Sequence, residues 1–464
     1  MSHATQSQNW LARATLVVAA TMAVGCSSSA VGTGAASRPA PERTRSSTLT
    51  AALPCCLEAG REVAERYRAT GITRRRFTHD ELWATLDPIV AAPSLRVAEI
   101  GRSIQGRSIK AATFGSGPTR VLLWSQMHGD ESTATMSLAD LLGWFADPAG
   151  AQREMRDQIS RQLTVVMVPM LNPDGAELFQ RQNAVGVDVN RDAASLATPE
   201  GRALKALRDS LRPQFGFNLH DQNARTLAGN GGKQAAIALL APALNAQRTF
   251  EGARINARLV AAGMAAVLDR EIPGRVARYD DSFNPRAFGD LMQTWGTSTV
   301  LVESGAMPGD PEKQRLRALN VVALVSALDA IATGRYASTS PAAYDALPMN
   351  ARQAMDVIIV GASVVMPGHA DPFRVDLSLN YDEPVARLHP RVREVGDLRG
   401  VVALDTISAA GLFLHPQPSM LTEQGGYYWL RIDAPAAFTL RRGADARSEV
   451  VRSFPAESRG RRER

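Results

Sequence analysis

The chain has 464 residues, 45% hydrophobic and 21% charged, which is the composition of a globular protein and excludes disorder as its general state. Such a length accommodates one large domain and a smaller one. The formal net charge of +6 is small for that length and comes partly from the tail Arg459-Gly460-Arg461-Arg462-Glu463-Arg464, so there is no nucleic-acid signature.

At the N-terminus Arg13 precedes an apolar run, Leu16 to Val24, that is too short to span a bilayer and is followed by Gly25-Cys26-Ser27. Residues 1–26 therefore read as an export signal. Small residues before Cys26 resemble the lipobox of bacterial lipoproteins, with Ala23 where leucine is usual. An ordinary cleaved signal of a periplasmic or secreted protein and an uncleaved anchor are the alternatives. Any membrane attachment would then run through a lipidated Cys26. Residues 27–60, rich in Ser, Ala, Thr, Gly and Pro at their start, read as a flexible tether. Cys55 and Cys56 are too few for a disulfide framework and have no histidine near them in sequence. Arg74-Arg75-Arg76 reads as a solvated basic face.

From 61 to 335, strand-like apolar runs (Val121 to Trp124, Leu163 to Val168, Phe215 to Leu219, Val300 to Val302) alternate with amphipathic helical runs. That alternation predicts an α/β fold, a mixed, mostly parallel sheet with helices on both faces. Ser132 is placed to cap, through its hydroxyl, a helix carrying Met136, Leu138, Leu141, Leu142 and Phe145. Asp310 as N-cap with Pro311 at the first helical position opens another, which Gly334 stops. Residues 336–349 read as a linker. Short alternating runs such as Val375-Asp376-Leu377-Ser378-Leu379 predict a small β-rich domain over 350–455, followed by a basic disordered tail over 456–464.

The ends of the four apolar runs carry the chemistry. Met127-His128-Gly129-Asp130-Glu131 follows the first, Asn172-Pro173-Asp174-Gly175 with Arg181 and Gly186-Val187-Asp188-Val189-Asn190-Arg191 the second, His220-Asp221-Gln222 the third, and Glu303-Ser304-Gly305 the fourth. Open α/β sheets place ligands at the carboxyl ends of their strands. Hydrolytic zinc sites take three protein ligands, commonly two histidines and a carboxylate, and keep one position for water. His128, Glu131 and His220 supply that set. Glu303 is the candidate base for the water's proton. Arg181 and Arg191 are suited to an oxyanion and to a carboxylate that needs a planar bidentate donor.

These residues, in this order, resemble the zinc carboxypeptidase family of the carboxypeptidase A type over roughly residues 95–335. The resemblance implies one zinc ion per chain held by His128, Glu131 and His220, Arg181 at the oxyanion, and Glu303 as general base. It also implies Asn190 with Arg191 on the substrate's free C-terminal carboxylate, and Asp188 orienting the imidazole of His128. Tyr279, 24 residues before Glu303, matches the family's mobile tyrosine. Asp221-Gln222 stands where the digestive members have Ser-Tyr, so that side of the cleft should differ. The residue that sets side-chain preference falls within Ser282 to Asp290, where counting from either end reaches Arg286 or Phe288. The expected activity is removal of a C-terminal residue from a peptide. A zinc amide hydrolase acting on cell-wall peptides or N-acyl amino acids, and a catalytically silent binding protein on the same fold, are the other readings.

Overall fold

The computed structural model describes residues 48–455 apart from residue 352, so the export signal, most of the tether and the basic tail lie outside the described residues. Strands β1 (Leu95–Arg102), β2 (Ser108–Phe114), β3 (Thr119–Ser125), β4 (Leu163–Val168), β5 (Phe215–Asp221), β6 (Ile237–Leu240), β7 (Val276–Arg278) and β8 (Ser298–Ser304) form one sheet. Their order is β1-β2-β4-β3-β5-β8-β6-β7. The central strands β4, β3, β5 and β8 run parallel. Parallel strands are covered on both faces, which is why they read as unbroken apolar runs. The two-residue period sorts them: Val121 and Leu123 enter one core, Leu122 and Trp124 the other.

The helices are α1 (Thr48–Arg66), α2 (His79–Val90), α3 (Thr133–Ala146), α4 (Arg153–Gln162), α5 (Pro173–Leu178), α6 (Pro199–Leu211), α7 (Ala253–Glu271), α8 (Phe288–Thr294), α9 (Gln314–Ala332) and α10 (Ala342–Asp345). Leu138 of α3, Val260 of α7 and Leu324 of α9 pack into the first core, and Leu204 of α6 and Phe288 of α8 into the second. The sheet is thus layered by helices on both sides, as the alternating pattern requires.

Beyond them lie β9 (Met355–Val364), β10 (Phe373–Glu383), β11 (Leu388–Gly396), β12 (Ala403–Ser408), β13 (Phe413–Pro416), β14 (Leu421–Gln424), β15 (Tyr427–Leu430), β16 (Phe438–Arg441) and β17 (Val450–Phe454). Seven of these form a second sheet, and β14 with β15 a separate hairpin. The second sheet has its own core, with Ile359, Leu377, Val392, Leu414 and Phe438. Arg225 holds the two regions together: its Nε and Nη2 donate to Asp356 Oδ2 at 3.0 and 2.8 Å.

Four local expectations are corrected. The stretch expected as tether up to residue 60 is helical from Thr48, and Gly60 lies so close to α9 that an added Cβ would stand 2.9 Å from the Val322 Cα. Composition hid this helix because its stability comes from α9 rather than from its own sequence. The Ser132 hydroxyl does not cap α3; it donates to the Arg75 carbonyl. Helix α9 starts at Gln314 rather than Pro311, with Lys313 as a left-handed N-cap residue (φ 52°). Lys313 is buried there to pair with Asp221 at 2.8 Å, while the Asp310 carboxylate still accepts from Arg315 N and Leu316 N. Finally, the segment expected as a linker is pinned by Tyr344, buried, whose Oη accepts from Ala241 N. Gly334, at φ 71°, ends α9 as expected.

Candidate metal centre and cleft

The loop that follows β3 is held from within. Gln126 adopts a left-handed backbone (φ 49°), a conformation that costs a non-glycine residue of order 1–3 kcal/mol. Its side chain offsets this by donating to Gly129 O at 2.9 Å and accepting from Thr135 Oγ1 at 2.9 Å. Gly129 then crosses Gly175 so closely that a Cβ would lie 2.0 Å from the Gly175 carbonyl carbon, whereas a Cβ on Gly175 itself would stand 2.6 Å from the Gln182 carbonyl oxygen. Asn172 ties the crossing together: Oδ1 accepts from Gly175 N at 2.9 Å, and Nδ2 donates to Met127 O at 3.3 Å and Arg181 O at 3.4 Å. The Asn-Pro-Asp-Gly turn is therefore a brace for His128 and Arg181 rather than part of the reacting surface. Its Asp174 is spent on Ser103, Gln105 and Arg107.

His128, Glu131 and His220 converge, all buried, with one potential ligand atom each and every pair of those atoms within 4.8 Å. The two Nδ1 atoms stand 3.2 Å apart, close to the edge of about 3.3 Å of a tetrahedron built on metal–nitrogen bonds of about 2.0 Å. Glu131 lies between them, Oε1 at 2.8 Å from His128 Nδ1 and Oε2 at 2.7 Å from His220 Nδ1. On its far side His128 Nε2 meets Asp188 Oδ1 at 3.1 Å, the carboxylate partner that fixes a ligand imidazole's tautomer. Two facing ring nitrogens and a carboxylate, with an outer carboxylate behind one ring, fit a divalent zinc-type ion.

Electrostatics follow from this packing. Burial disfavours charge on His128, but Glu131 and Asp188 outweigh it and push its pKa up to about 9. Burial wins for His220, which is lowered. Glu131 is held below the usual carboxylate range because the two imidazoles overcome its burial. Glu303 faces His220 across the β5–β8 ladder. Burial, then Glu131, and further Asp221 raise its carboxyl well above the ordinary value. A divalent cation beside it would draw it back down.

Around these groups lies a cleft of about 550 Å³. It brings together His128, Glu131, Arg181, Asn190, Arg191, His220, Tyr279 and Glu303, while Asp188 stands behind. Arg181 joins the two carboxylates, Nη1 at 3.2 Å from Glu131 Oε1 and Nε at 3.0 Å from Asp188 Oδ2. Its side chain is partly exposed to the cleft. Asn190 Oδ1 accepts from Phe288 N at 3.0 Å, and Arg191 Nη1 donates to the Asn190 carbonyl at 2.8 Å. The Tyr279 hydroxyl is pushed up to about 12, first by Glu303 and then by burial.

Neither counted specificity candidate faces the cleft. Phe288 is fully buried in the second core, and Arg286 is exposed outside the lining. Ala287, Gly289 and Asp290 line the cleft instead, with Asn218, Leu240, Pro242 and Leu301. Asp290 accepts from Asn284 N at 3.2 Å and has no ion-pair partner among the described residues; burial pushes its pKa up to about 6. Sequence reasoning missed Asn218, although a buried polar residue two before His220 in an apolar strand is a detectable signal.

Residues 84–227 match the family model described as Zinc carboxypeptidase. The match takes in His128, Glu131 and His220 and ends before Glu303. Among individual relatives, Carboxypeptidase 2 of Trichophyton rubrum is 31% identical over 105 residues, 23% of this chain and 19% of that protein. The Carboxypeptidase N catalytic chain of Homo sapiens is 28% identical over 148 residues, 27% of this chain and 32% of the other. The chain thus spans about a fifth of the length of the fungal relatives it matches. Among solved structures, a metallo-carboxypeptidase from Burkholderia cenocepacia superposes with a TM-score of 0.46 at 16% identity, covering 56% of this chain and 70% of that one.

Proposed function

We propose that the protein is a zinc-dependent carboxypeptidase that hydrolyses the last peptide bond of a substrate with a free C-terminal carboxylate. The observation that carries this reading is the convergence of His128, Glu131 and His220 with Glu303 on one cleft that also holds Asn190 and Arg191. Held by the three ligands, zinc would supply a Lewis acid that brings a water's pKa toward neutrality and polarises a carbonyl. Glu303, at the end of β8, takes the proton of the attacking water on its carboxylate and passes it to the departing nitrogen. The Arg181 guanidinium provides fixed positive charge for the oxygen that becomes negative. Arg191 binds the terminal carboxylate as a planar donor, and the Asn190 amide, anchored through Oδ1, offers its Nδ2 to the same group. Asp290 supplies a carboxylate to the terminal side chain, so the reading includes a preference for basic C-terminal residues.

The test compares a peptide ending in lysine with its C-terminal amide. Cleavage of the free acid alone, lost on chelation and restored by zinc, is the expected result. Equal cleavage of both would contradict the role of Arg191.

A further inference from the structure

One wall of the cleft comes from outside the sheet. Residues 348–351, between α10 and β9, run extended and are bound on both sides by main-chain hydrogen bonds. On one side Arg278 N donates to Pro348 O and Asn350 N to Arg278 O, each at 2.8 Å. On the other, Gly229 N donates to Met349 O at 3.0 Å and Ala351 N to Leu227 O at 2.9 Å. Such a doubly paired segment behaves as a strand rather than a loose connection. It places Asn350 in the cleft lining beside Gln222.

Asn350 Nδ2 donates to Gln222 Oε1 at 2.7 Å. That bond uses one donor and one acceptor. It leaves Asn350 Oδ1 and Gln222 Nε2, both shut off from water, without a partner among the described residues. Buried polar groups in folded proteins are nearly always paired, so two orphans in adjoining side chains, one acceptor and one donor, ask for a third party. An extended peptide residue offers the complementary pair, one N–H and one C=O. Exchanging nitrogen and oxygen in both amides leaves the same tally, so the inference does not depend on how the amides are assigned. The terminal torsions of Asn and Gln are soft, so either amide can exchange its present partner for a substrate group.

We propose that Asn350 and Gln222 bind the main chain of the second substrate residue upstream of the scissile bond, the first whose C=O is not the carbonyl under attack, so that the segment leading into the β-rich region completes the peptide-binding cleft. The placement follows from what the other lining residues do. Asn190, Arg191 and Asp290 take the terminal carboxylate and side chain, whereas Gln222 lies two residues beyond His220 and donates its N–H to Ser304 O, just past Glu303. This assignment rests on the carboxypeptidase reading.

The test uses the full zinc-loaded chain and two substrates with the same C-terminal residue: an N-acyl amino acid conjugate with no upstream peptide unit, and a tetrapeptide. Asn350→Ala and Gln222→Ala should each lower the ratio of kcat/KM for the tetrapeptide to that for the short substrate by about 3- to 10-fold, the worth of one hydrogen bond. A folding defect would reduce both activities in proportion. An unchanged ratio in both variants therefore overturns the assignment while leaving the carboxypeptidase reading intact. A wild-type protein inactive on both substrates sinks that reading and this assignment with it.

Discussion

Replacing Asp188 by asparagine isolates one contact behind the metal ligands. Asp188 Oδ1 faces His128 Nε2 at 3.1 Å and accepts from Asn190 N at 2.9 Å, while Oδ2 accepts from Arg181 Nε at 3.0 Å. Burial opposes its ionisation, but His128, with Arg181 and Arg191, holds the carboxyl below the usual range. A metal on His128 Nδ1 requires the proton on Nε2, so this nitrogen must donate. The asparagine oxygen can still accept from it, but the amide nitrogen then meets the Arg181 donor face to face, and the charge that makes the imidazole a better ligand is gone. Loss of an outer-shell carboxylate weakens metal affinity by roughly 10- to 100-fold, about 1.4–2.7 kcal/mol. Competition of the variant with a fluorescent zinc chelator at pH 7.5 measures it directly. A dissociation constant within twofold of wild type would refute the claim that Asp188 supports His128 as a ligand.

Two further outcomes follow from other parts of the molecule. Asp290→Asn should abolish any preference for lysine over leucine at the C-terminus. In the wild type that preference should fade as pH drops through about 6, because the carboxyl pushed up to that value is neutral below it; a preference that is flat between pH 5 and 7 would remove Asp290 from the pocket's chemistry. Arg317 and Asp140 are buried together, with Arg317 Nε on Asp140 Oδ2 at 2.7 Å and Arg317 also donating to the carbonyls of Ala69 and Ile72. Arg317→Met strands the carboxylate and should destabilise the fold by about 3–5 kcal/mol, read as the urea midpoint, whereas a shift below 1 kcal/mol would show the pair to be dispensable.

The convergence of the candidate residues was legible because each sits at the end of an apolar run, and the parallel sheet gathers those ends along one edge. Chain order and residue type were then sufficient to group His128, Glu131, His220 and Glu303. What stayed hidden depends on partners distant in sequence. Asp290 escaped because the loop after Tyr279 folds so that Phe288 turns into the core, which no count along the chain can supply. Asn350 belongs to a segment that looks like linker until Leu227, Gly229 and Arg278 pair with it. The Ser132 cap failed for a local reason: its backbone lies near the helical region (φ −98°, ψ −3°) instead of extended, and its hydroxyl donates to the Arg75 carbonyl without accepting from the helix. Lys313 shows how a local start signal yields to a tertiary ion pair, since Asp221 fixes it ahead of α9 and delays the helix.

The central claim, that hydrolysis depends on a metal held by His128, Glu131 and His220 with Glu303 as the base, is tested most directly by Glu303→Gln. The amide keeps the shape of the side chain and touches none of the three ligands' bonds, but it cannot take the water's proton. Metal analysis and turnover on a peptide with a free C-terminal lysine, measured on the same preparation, should give about one zinc per chain and a rate reduced by at least about 10²- to 10⁴-fold. Near-normal turnover in a zinc-loaded variant would contradict the assignment of Glu303, and turnover by a wild-type protein stripped of metal would contradict the account as a whole.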